Sequence, residues 1–159
     1  MPDANVAAPW IEKSNQHAQL VLDMLSRFHP EVGSMFGMPG VDERVIDLGP
    51  GIDERELAVM RETEVALRTR LAGESDAQVR QDLEIMLDLV ARSIELRVAS
   101  AAILLPYRHL AETIYRGMRT VLDHQNAPER QRSALPRLRR YGGRDSGSTP
   151  VPHEAMAPW

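Results

Sequence analysis

The chain has 159 residues, 43% hydrophobic and 26% charged, with 19 Lys+Arg against 23 Asp+Glu. That length suits one domain, and the composition excludes a collagen-like repeat and wholesale disorder; no apolar run is long enough to span a membrane. Aromatic residues make up only 4%, so Leu, Val, Ile, Met and Ala have to build the core, and the absence of Cys excludes disulfides, thiolate metal sites and cysteine nucleophiles. Met1 to Pro9 has neither a basic nor an apolar stretch of the kind that opens a secretory signal, which predicts a flexible N-terminus over 1–9 and a cytoplasmic chain.

The first predicted helix runs from Trp10 to about Phe28, with Trp10, Ala18, Val21, Leu25 and Phe28 on one face. His29-Pro30 ends it, and a short helical turn follows around Glu31 to Phe36. Gly37 to Gly51 is too rich in Gly and Pro for a helix; Val41, Val45, Ile46 and Leu48 mark it as an ordered connection packed onto the core. Asp53 with Glu56 resembles a capping box opening a second helix that closes at Gly73, with Leu57, Met60, Leu67 and Leu71 on one face. Glu64 lies on the edge of that stripe, where Arg61 or Arg68 can pair with it.

Ser75 is the expected cap of the third and longest helix, which runs to about Leu105. Val79, Leu83, Met86, Val90, Ile94, Val98 and Ala101 form one stripe, and Ile85, Leu89, Leu96 and Ile103 form another on nearly the opposite side. Two stripes mark a central strut made to be covered on both sides, with too few neighbours in this chain to hide both. Glu84, Asp88 and Glu95 read as a solvated wedge, with Asp88 in reach of Arg92. Pro106 ends this helix. The fourth spans about Tyr107 to His124, with Tyr107, Leu110, Ile114, Met118 and Val121 on one side and Gly117 placed for a close helix approach. Asn126 and Pro128 open a fifth, kinked at Pro136 and ending at Tyr141. The expected fold is all-α: about five helices in an irregular antiparallel bundle over 10–143, around the long helix, with an irregular tail over 144–159.

No catalytic constellation stands out. None of His17, His29, His109, His124 and His153 lies three to five residues from another, so no helical zinc pair exists. His153-Glu154 starts an H-E-x-x-H pattern, but Ala157 stands where the second histidine belongs. Gly49-Pro50-Gly51 is a turn and not a phosphate loop, and no serine has the setting of an activated nucleophile. Residues 128–144 carry six Arg and one Glu, a net +5, whereas 1–127 carry a net −7. Docking of these arginines against the acidic helices of their own domain is the simpler reading; nucleic-acid binding is the weaker one.

Three stretches together resemble the N-terminal part of the bacterial family called domain of unknown function 885. The first is Trp10-Ile11-Glu12-Lys13-Ser14-Asn15, continuing through Phe28-His29-Pro30-Glu31 to Val41-Asp42-Glu43-Arg44-Val45-Ile46-Asp47-Leu48. The second is Val79-Arg80-Gln81-Asp82-Leu83-Glu84-Ile85. The third runs from Leu105-Pro106-Tyr107 through Tyr115-Arg116-Gly117 and Val121-Leu122-Asp123 to Pro128-Glu129-Arg130, and ends at Leu138-Arg139-Arg140-Tyr141-Gly142-Gly143. The resemblance implies a longer, helical, zinc-peptidase-like protein in which two His and a Glu hold the metal and the motif glutamate is the general base. Those elements belong to the family's C-terminal region, so no catalytic, cofactor-binding or metal-binding residue carries over to this chain, and zinc is implied for the full-length family alone. The resulting expectation is a non-catalytic helical N-terminal segment that forms part of a substrate-cleft wall, with the rest of the family domain as its partner. The alternative is a stand-alone helical module that associates with itself through exposed apolar faces.

Overall fold

A computed structural model describes residues 8–103, 108–145 and 149–156. Among these the chain is all-α, with eight helices: α1 (Pro9–Phe28), α2 (Pro30–Met35), α3 (Ile52–Gly73), α4 (Ala77–Ile103), α5 (Leu110–Leu122), α6 (Pro128–Arg132), α7 (Ala134–Tyr141) and α8 (Val151–Met156). They fall into two compact units, one of residues 1–24 and 55–104, the other of residues 25–54 and 105–159. Each unit has a core of its own. The expected flexible stretch 1–9 lies outside the described residues up to Ala7, and Pro9 already opens α1; Pro106 and Tyr107 also fall outside them.

In the first unit, α1, α3 and α4 bring their apolar stripes together. Leu67, Val79, Leu83 and Val90 are buried at the centre, and Trp10, Leu20, Val21, Met24, Leu71, Met86 and Ile94 pack around them. Burying such side chains contributes about 1.5–3 kcal/mol each, the main source of stability in a core nearly free of aromatic rings. The cap of α4 is Asp76 and not Ser75: its Oδ1 accepts from the amides of Gln78 (2.9 Å) and Val79 (3.3 Å). A helix beginning at Ala77 places those amides at the second and third positions, within reach of a side chain at 76. At the start of α3 the helix opens at Ile52, so Asp53 lies inside the first turn, where its carboxylate pairs with Arg108 (2.5 Å). It therefore acts as an acid near a helix N-terminus and not as the cap.

The second unit is built on α5. Val121 and Gly117 of α5 are buried, and Ile46, Leu48, Tyr141 and Val151 form a core against Leu110, Ile114 and Met118. The connection after α2 is ordered as expected, with Val41, Ile46 and Leu48 buried. At Gly117 a β-carbon would lie 2.4 Å from the Tyr141 hydroxyl and 2.8 Å from Glu31 Cγ, so only glycine lets these side chains cross α5.

The predicted fifth helix is two. The break lies at Ser133, between α6 and α7, and Pro136 sits in the first turn of α7. A proline clashes with the carbonyl four residues earlier, here Arg132, which is where the helix ends. Asn126 does not cap α6; its Nδ2 donates back to the carbonyls of Thr120 (2.7 Å) and Val121 (3.3 Å), closing α5. The tail also departs from expectation, because α8 folds within it. Val151 is buried in the core, and Glu154 accepts from the Leu48 amide at 3.3 Å. Gly143, at φ 61°, turns the chain so tightly that a β-carbon there would meet Pro150 at 2.4 Å.

Candidate functional site

Three places concentrate polar or exposed groups. The first joins α1 to the α3–α4 turn. Glu74 is nearly buried and receives Lys13 Nζ (2.9 Å) together with the amides of Ser75 (2.8 Å) and Asp76 (2.9 Å) on Oε1. The Lys13 hydrogen bond first, then the backbone amides, hold its carboxyl down at about 2. His17 lies beside it: Arg70 Nη1 is 3.0 Å from Nδ1, and Nε2 faces Glu74 Oε2 at 3.8 Å. Burial, then Arg70, keep the imidazole below its ordinary pKa. With Nδ1 accepting from Arg70, the ring proton resides on Nε2, pointing at the carboxylate. Ser14 Oγ is buried on the same helix and makes no hydrogen bond, but no group here takes its proton. The arrangement clamps α1 onto the turn between α3 and α4.

The second lies inside the second unit. Arg137 is fully buried. Its Nε donates to the Arg44 carbonyl (3.0 Å), Nη1 to the Gly117 carbonyl (2.9 Å) and Ser34 Oγ (3.3 Å), and Nη2 to the carbonyls of Val41 (3.1 Å) and Pro30 (3.5 Å). All five guanidinium N–H groups thus have acceptors. Burial lowers its pKa, opposed by the nearby Tyr141 and Glu31. Glu31 Oε1 accepts from the Ile46 amide (3.0 Å) and from the Tyr141 hydroxyl (2.7 Å), and burial followed by the Glu31 charge raises the tyrosine pKa. The cluster ties α2, the 36–51 connection, α5 and α7 together. Pro30, Glu31, Val41, Arg44, Gly117 and Tyr141, which build it, all belong to the sequence stretches quoted above.

The third is a helix face. One stripe of α4 is buried at Val79, Leu83 and Val90, while the other is open: Ile85 is 60% exposed, Leu89 55%, Leu96 69% and Ile103 80%. The few neighbours within the chain cover one side of this helix and leave the other open, as its two stripes predict. Asp88 and Arg92 pair within this face at 2.9 Å.

The remaining candidates resolve as follows. Glu64 pairs with Arg68 at 2.5 Å. Arg80 approaches Glu84 at 3.9 Å, and Glu95 is exposed. His29 precedes α2, His109 caps α5 by accepting from the Glu112 amide (3.3 Å), His124 lies beside Asp123, and His153 is exposed on α8. Among the described residues no group of three or more His, Asp or Glu is placed to hold a metal ion, and no helix is long and apolar enough to cross a membrane. The arginines of 128–144 divide. Arg130 pairs with Asp42 (3.1 Å), Arg140 with Asp145 (2.9 Å) and Glu43 (3.5 Å), and Arg137 is interior, so the acidic partner is the 36–51 connection together with Asp145 rather than an acidic helix. Arg132, Arg139 and Arg144 stay on the surface.

Sequence patterning missed Arg137, although a signal was present: Ala134, Arg137 and Tyr141 share one face of α7, and an arginine between two apolar residues on such a line is a candidate for burial. Compared with protein-family models, curated proteins and solved structures, the chain finds no match.

Proposed function

We propose that this chain is a non-catalytic helical docking element whose working surface is the open face of α4. The observation that carries this reading is the line of Ile85, Leu89, Leu96 and Ile103, each more than half exposed. Scattered surface apolar residues are ordinary, but four large ones aligned on a helix mark a surface for another body. The sequence motifs support one such body, the remaining part of a bacterial zinc-peptidase-like protein in which this segment walls a substrate cleft. The spacing of the stripe favours a second, another copy of the chain.

Hydrophobic-dye binding by the wild-type chain and by a Leu89→Glu, Leu96→Glu double variant tests the docking face. At a dilution below any association the wild type binds dye, and the variant loses most of that binding while keeping its helical circular dichroism, because both positions point away from the core. Unchanged dye binding by a folded variant contradicts the proposal, as does zinc-dependent peptide hydrolysis by the chain itself.

A further inference from the structure

We infer that the partner on α4 is a second copy of this chain, its α4 lying antiparallel to the first. The inference rests on the docking reading above and not on the family resemblance. Ile85, Leu89, Leu96 and Ile103 follow one another at spacings of four, seven and seven residues, the repeat of a helix seam that faces another helix along its length. Positions 92 and 99 complete the seam, and Arg92 and Ala99 occupy them.

Arg92 decides the orientation. In a parallel pair, equal positions face each other, so the two Arg92 guanidinium groups would meet at the middle of the seam, each with its own Asp88 but with no acid of the other copy beside it. In an antiparallel pair centred near Ile94, Ile85 stands opposite Ile103 of the second copy, Leu89 opposite the small Ala99, and Leu96 against the aliphatic stem of Arg92. Asp88, Arg92 and Glu95 lie on the same flank of the seam, as their helical spacing requires. A two-fold axis across an antiparallel pair brings like flanks together, so each Arg92 reaches Glu95 of the other copy while keeping its own Asp88 at 2.9 Å. The charges that disfavour the parallel pair therefore hold the antiparallel one in register.

The chain has no native cysteine, so single introduced thiols report orientation directly. Sedimentation equilibrium of the full chain gives a monomer–dimer equilibrium, and Leu96→Glu raises the dissociation constant tenfold or more. Arg92→Glu raises it too, and the triple reversal Arg92→Glu, Asp88→Arg, Glu95→Arg restores it. Under oxidation a mixture of Ile85→Cys and Ile103→Cys chains forms disulfide-linked dimers, whereas Ile85→Cys alone does not, because its two thiols lie at opposite ends of the seam. Circular dichroism on each variant separates lost association from lost folding. Rapid self-linking of Ile85→Cys overturns the antiparallel arrangement. A monomer at all concentrations that still binds dye overturns the second copy and leaves the docking face in place. A monomer that binds no dye overturns both.

Discussion

Arg137 shows how one side chain organises a small core. A guanidinium removed from water is costly unless every N–H finds an acceptor, and here four carbonyls and a serine hydroxyl supply them. Three of the four carbonyls come from residues 30–44, so the cation ties α2 and the connection after it to α5 and α7. Arg137→Met removes all five of these hydrogen bonds from the buried cluster; we expect a loss of at least about 3 kcal/mol in urea unfolding, against about 0.5 kcal/mol or less for Arg132→Met on the surface. Arg137→Lys does not rescue it, since a three-donor ammonium cannot span five acceptors. A near-neutral Arg137→Met would contradict the role assigned to the cation.

Glu74 and His17 make the first unit sensitive to acid, each over its own range. The folded chain holds His17 below its ordinary 6.5, so protonation is easier in the unfolded chain, and this contribution to stability, complete above pH 6.5, drains as the pH falls. Glu74 is held near 2 against an ordinary 4.5, so its contribution is complete above pH 4.5 and disappears as the pH falls through about 2. Urea titrations between pH 7 and pH 2 check both. The difference between wild type and Glu74→Gln is widest above pH 4.5 and closes near pH 2, and His17→Gln flattens the decline below pH 6.5. A gap that widens in acid would reverse the assignment.

Among the elements, the long helices were legible because their signals are local and repeated. α1 and α3 end where His29-Pro30 and Gly73 predict, and the buried face of α4 follows the stripe from Val79 to Val90. Helix ends were less legible, because one residue of offset changes which side chain reaches the free amides. Asp76 and Ser75 are both plausible caps by composition, and only the start at Ala77 separates them. Asp76→Ala is expected to cost about 1 kcal/mol and Ser75→Ala a few tenths at most, measured by thermal unfolding; equal effects would contradict the assignment. The tail misled for a different reason. Val151 is one apolar residue among Pro, Gly and Ser, and it is buried by packing with Ile46 and Leu48, which lie far from it in sequence, and with Tyr141.

At the scale of the whole molecule, an all-α chain of this composition gathers around two local cores, and its longest helix keeps one flank open. The two stripes of α4 were visible in the sequence; which one stays open depends on the three-helix packing of the first unit, where α1 and α3 occupy the Val79–Val90 side. The polar cluster of the second unit was visible only as a misplaced arginine and an oddly placed glycine. The open flank carries the docking role proposed for the chain, and the polar cluster holds the second unit together.

Carbene footprinting read out residue by residue, at a dilution below association and at a concentration above it, tests this picture most directly. Ile85, Leu89, Leu96 and Ile103 should label heavily in the dilute chain and become protected on association, while Leu67 and Leu83 stay unlabelled in both. Leu89 and Leu96 labelling no more than Leu83 in the dilute chain would mean that the face is already covered, and the account would fail.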